Sequence, residues 1–161
     1  GMRSGFVAGD ARYISRQAQL INYGGVAVPL PVLAASTLLW SDETHVAENR
    51  ARYQASFDLA QQALGPIFGN VKPGGGFFLW LDVGDGEKAA VELWRQTAIK
   101  VLPGGYMARV DADGRNPGAP YIRVALVYDP ALLAGALDRM AAVLGSLMVS
   151  GDRMRISGRG R

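Results

Sequence analysis

The sequence predicts an α+β protein: a short sheet covered by helices, with a long connecting helix ahead of it. Three observations carry this. Residues 77–83 and 121–127 are short runs of aromatic and β-branched residues bounded by Gly and Pro, the pattern of strands. Between and after them apolar residues recur at helical spacing, so strand and helix alternate. Ahead of them lies one long amphipathic stretch that starts at Ser41 and stops at Gly65-Pro66.

Taken in order, Ser4 to Ala8 reads as a short strand closed by Gly9-Asp10, a turn that also suits a helix cap. Ala11 to Tyr23 places Tyr13, Ile14, Ala18 and Ile21 near helical spacing, and Gly24-Gly25 closes it. Pro31 fits a helix first turn, with Val32 to Trp40 continuing as a largely buried apolar helix. Ser41 is expected to cap the next helix, with Asp42 and Glu43 at its positive end. Val46, Tyr53, Phe57, Ala60 and Leu64 form its apolar stripe, and Gly65-Pro66 is expected to end it. Phe77 to Val83 follows as a strand entered through Pro73 and three glycines. Gly86 to Thr97 reads as a helix burying Ala90, Val91, Trp94 and the following Ala98. Ile99 to Leu102 is a short strand stopped by Pro103-Gly104-Gly105, and Met107 to Pro120 is loop. Tyr121 to Val127 is the strongest strand, and Pro130 to Met148 a closing helix with Leu133, Leu137, Met140, Leu144 and Leu147 in register. The expected division is residues 1–40, residues 41–149 as the α+β domain, and a basic flexible tail at 150–161.

Composition narrows the chemistry. An apolar fraction of 49% with 19% charged residues is that of a folded globular chain, and 161 residues bury a sizeable core without staples. There is no cysteine, which removes thiolate metal sites, catalytic thiols and disulfides, and fits a reducing compartment. The pI near 9.4 suggests nucleic acid, but the net charge of +3 sits wholly in the tail. There, Arg153, Arg155, Arg159 and Arg161 face a single acid, Asp152. A neutral body lacks the clustered basic face of a nucleic-acid binder. The first thirty residues lack a signal-peptide pattern, and the longest apolar stretch, Val26 to Trp40, is broken by Pro29 and Pro31. A cytoplasmic protein is expected.

Few residues are suited to catalysis. His45 stands among polar neighbours at a helix start and reads as solvated. No Asp/Glu/His group has metal-ligand spacing. Gly74-Gly75-Gly76 precedes a strand rather than a helix, so it reads as a tight turn and not a phosphate loop. Asp82 and Asp85 suit turns. Arg123 differs: it is a charge inside the apolar strand Tyr121-Ile122-Arg123-Val124-Ala125-Leu126-Val127. It reads equally as an outward-facing residue or as a rigid guanidinium placed to clamp a carboxylate by two parallel hydrogen bonds.

Several segments in order resemble one family, the class I/II pyridoxal-phosphate aminotransferases. They are M-R-S-G-F-V-A-G-D at 2–10, P-L-P-V-L-A-A-S at 29–36, D-E-T-H-V-A-E-N-R at 42–50, G-G-F-F-L-W at 75–80, V-L-P-G at 101–104, N-P-G at 116–118 and Y-I-R-V-A-L-V at 121–127. The likeness covers about residues 2 to 148. Within the class, S-G-F-V-A-G-D, H-V-x-E-N-R and N-P-G are most similar to the N-succinyldiaminopimelate aminotransferases of lysine and cell-wall synthesis.

The resemblance implies roles for three residues. Arg3 matches the arginine that grips the cofactor phosphate, Arg123 the one that binds the substrate α-carboxylate, and Gly76 lies near the substrate entrance. It makes residues 1–40 a remnant of the large cofactor-binding domain and 41–149 the C-terminal small domain, in an enzyme that is a homodimer. It implies pyridoxal phosphate in the parent, which would move an amino group between glutamate and an N-succinylated amino-ketopimelate. Aspartate and other dicarboxylic amino acids are the alternatives within the class. Departures accompany the matches. The Schiff-base lysine of the family lies a few residues before the position of Met2, in an S-K-R-S-N-x-P-G-x-R-S-G type segment, and Lys72, Lys88 and Lys100 are in no such setting. The cofactor-stacking aromatic, the Asp for the ring nitrogen and the phosphate loop have no counterpart either, and Leu33 stands where glutamine is common. No catalytic residue is therefore assigned, the chain alone is expected neither to bind cofactor nor to transaminate, and a stand-alone carboxylate- or partner-binding module is the competing expectation.

Overall fold

The computed structural model describes residues 3–25 and 27–157, with side chains to residue 149. Met2 and Val26 lie outside the described residues. By its internal contacts the chain divides into two units, residues 1–49 and 50–161.

The first unit is built from helices. Residues 3–8 form no strand, contrary to expectation, because no described strand lies alongside to take up their backbone groups. Helix α1 (Ala11–Gly24) starts where Asp10 accepts a 2.9 Å hydrogen bond from the Arg12 amide. It closes at Gly25, whose φ of 69° is the left-handed conformation glycine adopts freely. Helix α2 (Leu30–Trp40) carries Pro31 in its first turn, as expected. The expected burial of α2 is not found. Among its residues only Ser36 is buried, while Leu30 and Leu38 are 79% and 74% exposed. The helix is apolar on all sides, so no single face turns inward.

Helix α3 (Thr44–Phe68) corrects two expected boundaries. Ser41 closes α2, donating its hydroxyl hydrogen to the Thr37 carbonyl, and Asp42 caps α3 by accepting from the Thr44 amide at 2.9 Å. His45 is half-buried rather than solvated, its Nδ1 3.9 Å from Asp42. At the far end the helix passes through Pro66 and stops at Gly69, φ 77°. Pro66 gives the Gln62 carbonyl no N–H, so the last turn of the helix runs on with one backbone bond fewer. Gln61 then fixes the exit, donating to the Gly69 carbonyl at 3.0 Å and accepting from the Val71 amide at 2.9 Å.

The second unit holds the sheet. β1 (Phe78–Asp82) and β2 (Leu102–Pro103) both pair antiparallel with β3 (Tyr121–Ala125), which is the central strand. Burial alternates along β1 and β3, so Leu79, Leu81, Ile122 and Val124 point to one face. Onto that face pack Phe57, Ala60 and Leu64 of α3, Ala89 and Leu93 of α4 (Gly86–Thr97), and a stripe of α5 (Pro130–Ser157). The stripe is Leu133, Leu137, Met140 and Leu144. This bears out the predicted short sheet covered by helices. The buried side of α4 differs from expectation: Ala89 and Leu93 are inside, whereas Val91 and Trp94 are more than half exposed. By length and composition residues 130–149 are apolar enough to cross a bilayer, but the apolar stripe of α5 supplies the core. The helix also runs on to Ser157 rather than ending at Met148, and the last four residues of the tail are outside the described residues.

Candidate functional site

The face of the sheet opposite the core carries the side chains that strand alternation turns away from the helices. These are Phe78, Trp80 and Asp82 from β1, Tyr121, Arg123 and Ala125 from β3, and Leu102 from β2. Arg123 sits in the middle strand, opposite Trp80 on one side and Leu102 on the other. Its guanidinium carbon is 5.5 Å from the centre of the Phe78 ring, a cation–π contact. Trp80 stacks on Tyr121 with ring centres 5.4 Å apart and planes 19° apart. Arg123 is therefore half-buried among three aromatic rings, and no carboxylate of the described residues pairs with it. A guanidinium held on a central strand, backed by aromatic rings and lacking an internal counter-ion, has the geometry to take a carboxylate through two parallel hydrogen bonds.

The loop between β2 and β3 frames this face. A methyl group added at Gly104 would meet the Gly118 carbonyl oxygen at 2.5 Å and the Trp80 ring at 2.8 Å. The reverse addition at Gly118 would collide with the Gly104 carbonyl, so the two backbones approach as only glycines allow. Asn116 locks the junction, donating to the Gly105 carbonyl at 2.9 Å and accepting from the Gly118 amide at 3.0 Å. Between these anchors the chain makes its own turn: Asp111 accepts from the Asp113 and Arg115 amides, and Gly114 takes a φ of 77°. Trp80 is thus held from behind by Gly104 and from the side by Tyr121.

Gly76 stands two residues before β1 with φ 97° and open space where a side chain would lie, so a substitution there strains the backbone without a clash. Arg3 is exposed, with φ 57°. It belongs to the first unit and Arg123 to the second. Pyridoxal phosphate needs an anion anchor, an amine to take its aldehyde and a carboxylate at its ring nitrogen. The unit of Arg3 holds two arginines without an acidic partner among the described residues, Arg3 and Arg16, and has no lysine. All three lysines belong to the other unit, and Lys72 is ion-paired with Asp58. Taken by itself, the unit of Arg3 lacks the amine that the cofactor's aldehyde would need.

A cavity of about 710 Å³ opens beside β1, lined by Phe68, Val71, Lys72, Trp80 and Asp82 among others, and it does not include Arg123. Lys72 at its wall is neutralised by Asp58, whose carboxyl that hydrogen bond holds below its ordinary 3.8. The aromatic neighbours of Arg123 were not singled out in the sequence. Their signal is parity: F-F-L-W and Y-I-R put Phe78, Trp80, Tyr121 and Arg123 on the outward positions of two strands.

Fold and site together define a three-stranded antiparallel sheet, covered on one face by helices, with an unpaired arginine on the outward face of its central strand. Residues 1–139 match the family aminotransferase class I and II, and the chain belongs to that family. It is 32% identical over 141 residues to the 4-dedimethylamino-4-oxo-anhydrotetracycline transaminase OxyQ of Streptomyces rimosus, across 87% of this chain and 37% of that protein. An aminotransferase structure from Neisseria meningitidis superposes with a TM-score of 0.75 at 41% identity, over 89% of this chain and 37% of that one. The aminotransferase AspB of Helicobacter pylori matches with a TM-score of 0.68 at 33% identity, over 88% and 36%. The chain thus spans a little over a third of the length of these relatives.

Proposed function

We propose that this chain is the C-terminal share of a pyridoxal-phosphate aminotransferase, with Arg123 binding the substrate α-carboxylate and Arg3 the cofactor phosphate. The observation that carries the reading is the unpaired guanidinium of Arg123 among Phe78, Trp80 and Tyr121. Family membership supports it, and implies an amino-acid and keto-acid pair as substrates. The parent enzyme, a homodimer, transfers an amino group between glutamate and an N-succinylated amino-ketopimelate. Support for that substrate comes from the S-G-F-V-A-G-D, H-V-A-E-N-R and N-P-G segments alone. The 161 residues by themselves do not transaminate, because Lys72, Lys88 and Lys100 stand in no segment of the S-K-R-S-N-x-P-G-x-R-S-G type that carries the family's Schiff-base lysine.

Two measurements test the two halves of this proposal. The purified chain, mixed with pyridoxal phosphate, glutamate and keto acid, is expected to give no amino-group transfer; turnover that disappears in Arg123→Ala would overturn the claim of inactivity. Glutarate binding by calorimetry is expected for the chain and lost in Arg123→Ala, a loss of about 1.5–3 kcal/mol for hydrogen bonds to a charged partner. Equal binding by both proteins refutes the carboxylate role.

A further inference from the structure

A second site lies on the other side of the sheet. β2 pairs with only two residues of β3, so the β3 edge beyond Arg123 has no partner strand on that side. The Leu126 amide donates to the Phe77 carbonyl on the β1 side at 2.8 Å. Alternation of the ladder therefore turns the N–H and C=O of Ala125 toward the opposite, unpaired edge. The chain that would continue β2 backwards bends away there, because Ala98 ends α4 in the left-handed conformation, φ 58°. The gap is a cavity of about 410 Å³ between the end of α4, the β3 edge and α5.

Its walls are apolar. Leu133, Leu137 and Met140 of α5 and Val124 of β3 are buried side chains that line it, and Trp94 and Tyr128 stand at its rim. One charge enters it: Lys100, whose ammonium lies 4.9 Å above the Trp94 ring. No acidic residue lines the cavity, and no carboxylate of the described residues pairs with Lys100. A concave apolar space of this size with one cation and a free backbone N–H at its mouth matches the general form of small-ligand sites. We propose that the cavity between α4, α5 and the β3 edge binds a small apolar monocarboxylate. Its hydrocarbon part lies against Leu137 and Met140, and its carboxylate accepts from Lys100 and the Ala125 amide. The site does not depend on the aminotransferase reading, and Arg123 takes no part in it.

Hydrocinnamate is a suitable probe, titrated into the full chain labelled at its methionine methyls. The Met140 methyl, assigned through Met140→Leu, is expected to shift saturably as the ring enters. Hydrocinnamamide, the same shape without charge, and Lys100→Gln with the acid should each bind at least about tenfold more weakly. Ala136→Phe, a half-buried wall position of α5, fills the space and should abolish the shift, whereas Arg123→Ala should leave it unchanged. The proposal is overturned by a shift that never saturates, by equal affinity for acid and amide, or by binding that survives Ala136→Phe. Loss of the shift in Arg123→Ala also overturns it, because the acid would then be bound on the other face of the sheet.

Discussion

Replacing Gly86 by alanine sets two effects of opposite sign against each other. Gly86 is the first residue of α4, and by propensity alone alanine would stabilise a helix by up to about 1 kcal/mol. The added methyl, however, would collide with the Tyr121 carbonyl oxygen, with the Tyr121 carbon at 2.9 Å and the Ala119 oxygen at 3.0 Å. All three are backbone atoms, so nothing flexible can give way. Moving the start of α4 to make room would also stretch the 2.8 Å bond from the Gly86 amide to the Ala119 carbonyl. Overpacking costs about 1–3 kcal/mol and a lost hydrogen bond about 1, which against the propensity gain of up to about 1 leaves a net destabilisation of about 1–3 kcal/mol. Gly135 supplies the control. It lies inside α5 with nothing nearer than the Arg139 side chain at 3.7 Å, so alanine there should stabilise by about 0.5–1 kcal/mol. Urea unfolding followed by circular dichroism reads both as shifts of midpoint at constant slope. If Gly86→Ala unfolds at or above the midpoint of the parent, the close approach of α4 to β3 is wrong.

Leu93→Ala should cost about 2–5 kcal/mol in the same assay, whereas Val91→Ala should fall within about 0.5 kcal/mol of neutral. Equal costs would show that α4 presents another face to the core. Asn116→Ala should destabilise by about 1–3 kcal/mol, since it removes both hydrogen bonds at the Gly104–Gly118 contact, and amide exchange in residues 105–118 should rise with it. Asp58, held by Lys72 and secondarily by Gln54, has a folded pKa below its ordinary 3.8. Its stabilising contribution is therefore present above 3.8 and is lost as pH falls through the lower folded value. Asp58→Asn should flatten that part of an acid-unfolding curve, and an unchanged curve would mean the pair with Lys72 does not form in solution.

β1, β3 and α4 were legible because their signals are local: alternation at 78–82 and 121–125, and one helical period at 86–97; β2, expected at 99–102, forms instead at Leu102–Pro103, across the expected stop. Four features required the tertiary structure. Pro66 reads as a stop, yet α3 ends only at Gly69, where Gln61 takes over the exit hydrogen bonds. Ser41 and Asp42 are both good caps, and the sequence does not say which serves α3. Trp94 and Val91 looked like core because they are large and apolar, but the contact with β3 is made by the smaller Ala89 and by Leu93. Residues 4–8 have strand composition without a neighbouring strand. For the site, a charge inside an apolar strand marked Arg123. Its surroundings follow from register, since only the pairing of residue 123 with 80 and 102 brings Trp80 and Leu102 beside it. The cavity at Lys100 could not be read from the sequence, because it exists only where β2 falls short of β3.

The glycine contact at 104 and 118 also decides where this fold can accept additional chain. Both ends of the intervening loop are fastened at its base by that contact and by Asn116, and the sheet senses only the base. Lengthening a loop whose ends are already joined costs little, about 0.6 kcal/mol for each doubling. Residues inserted at the exposed Asp113-Gly114 turn would leave Trp80 and Arg123 in place, whereas a single methyl added at Gly104 would meet the Trp80 ring. Natural length variation and grafted peptides should therefore be tolerated at that turn and rejected at Gly104 and Gly118.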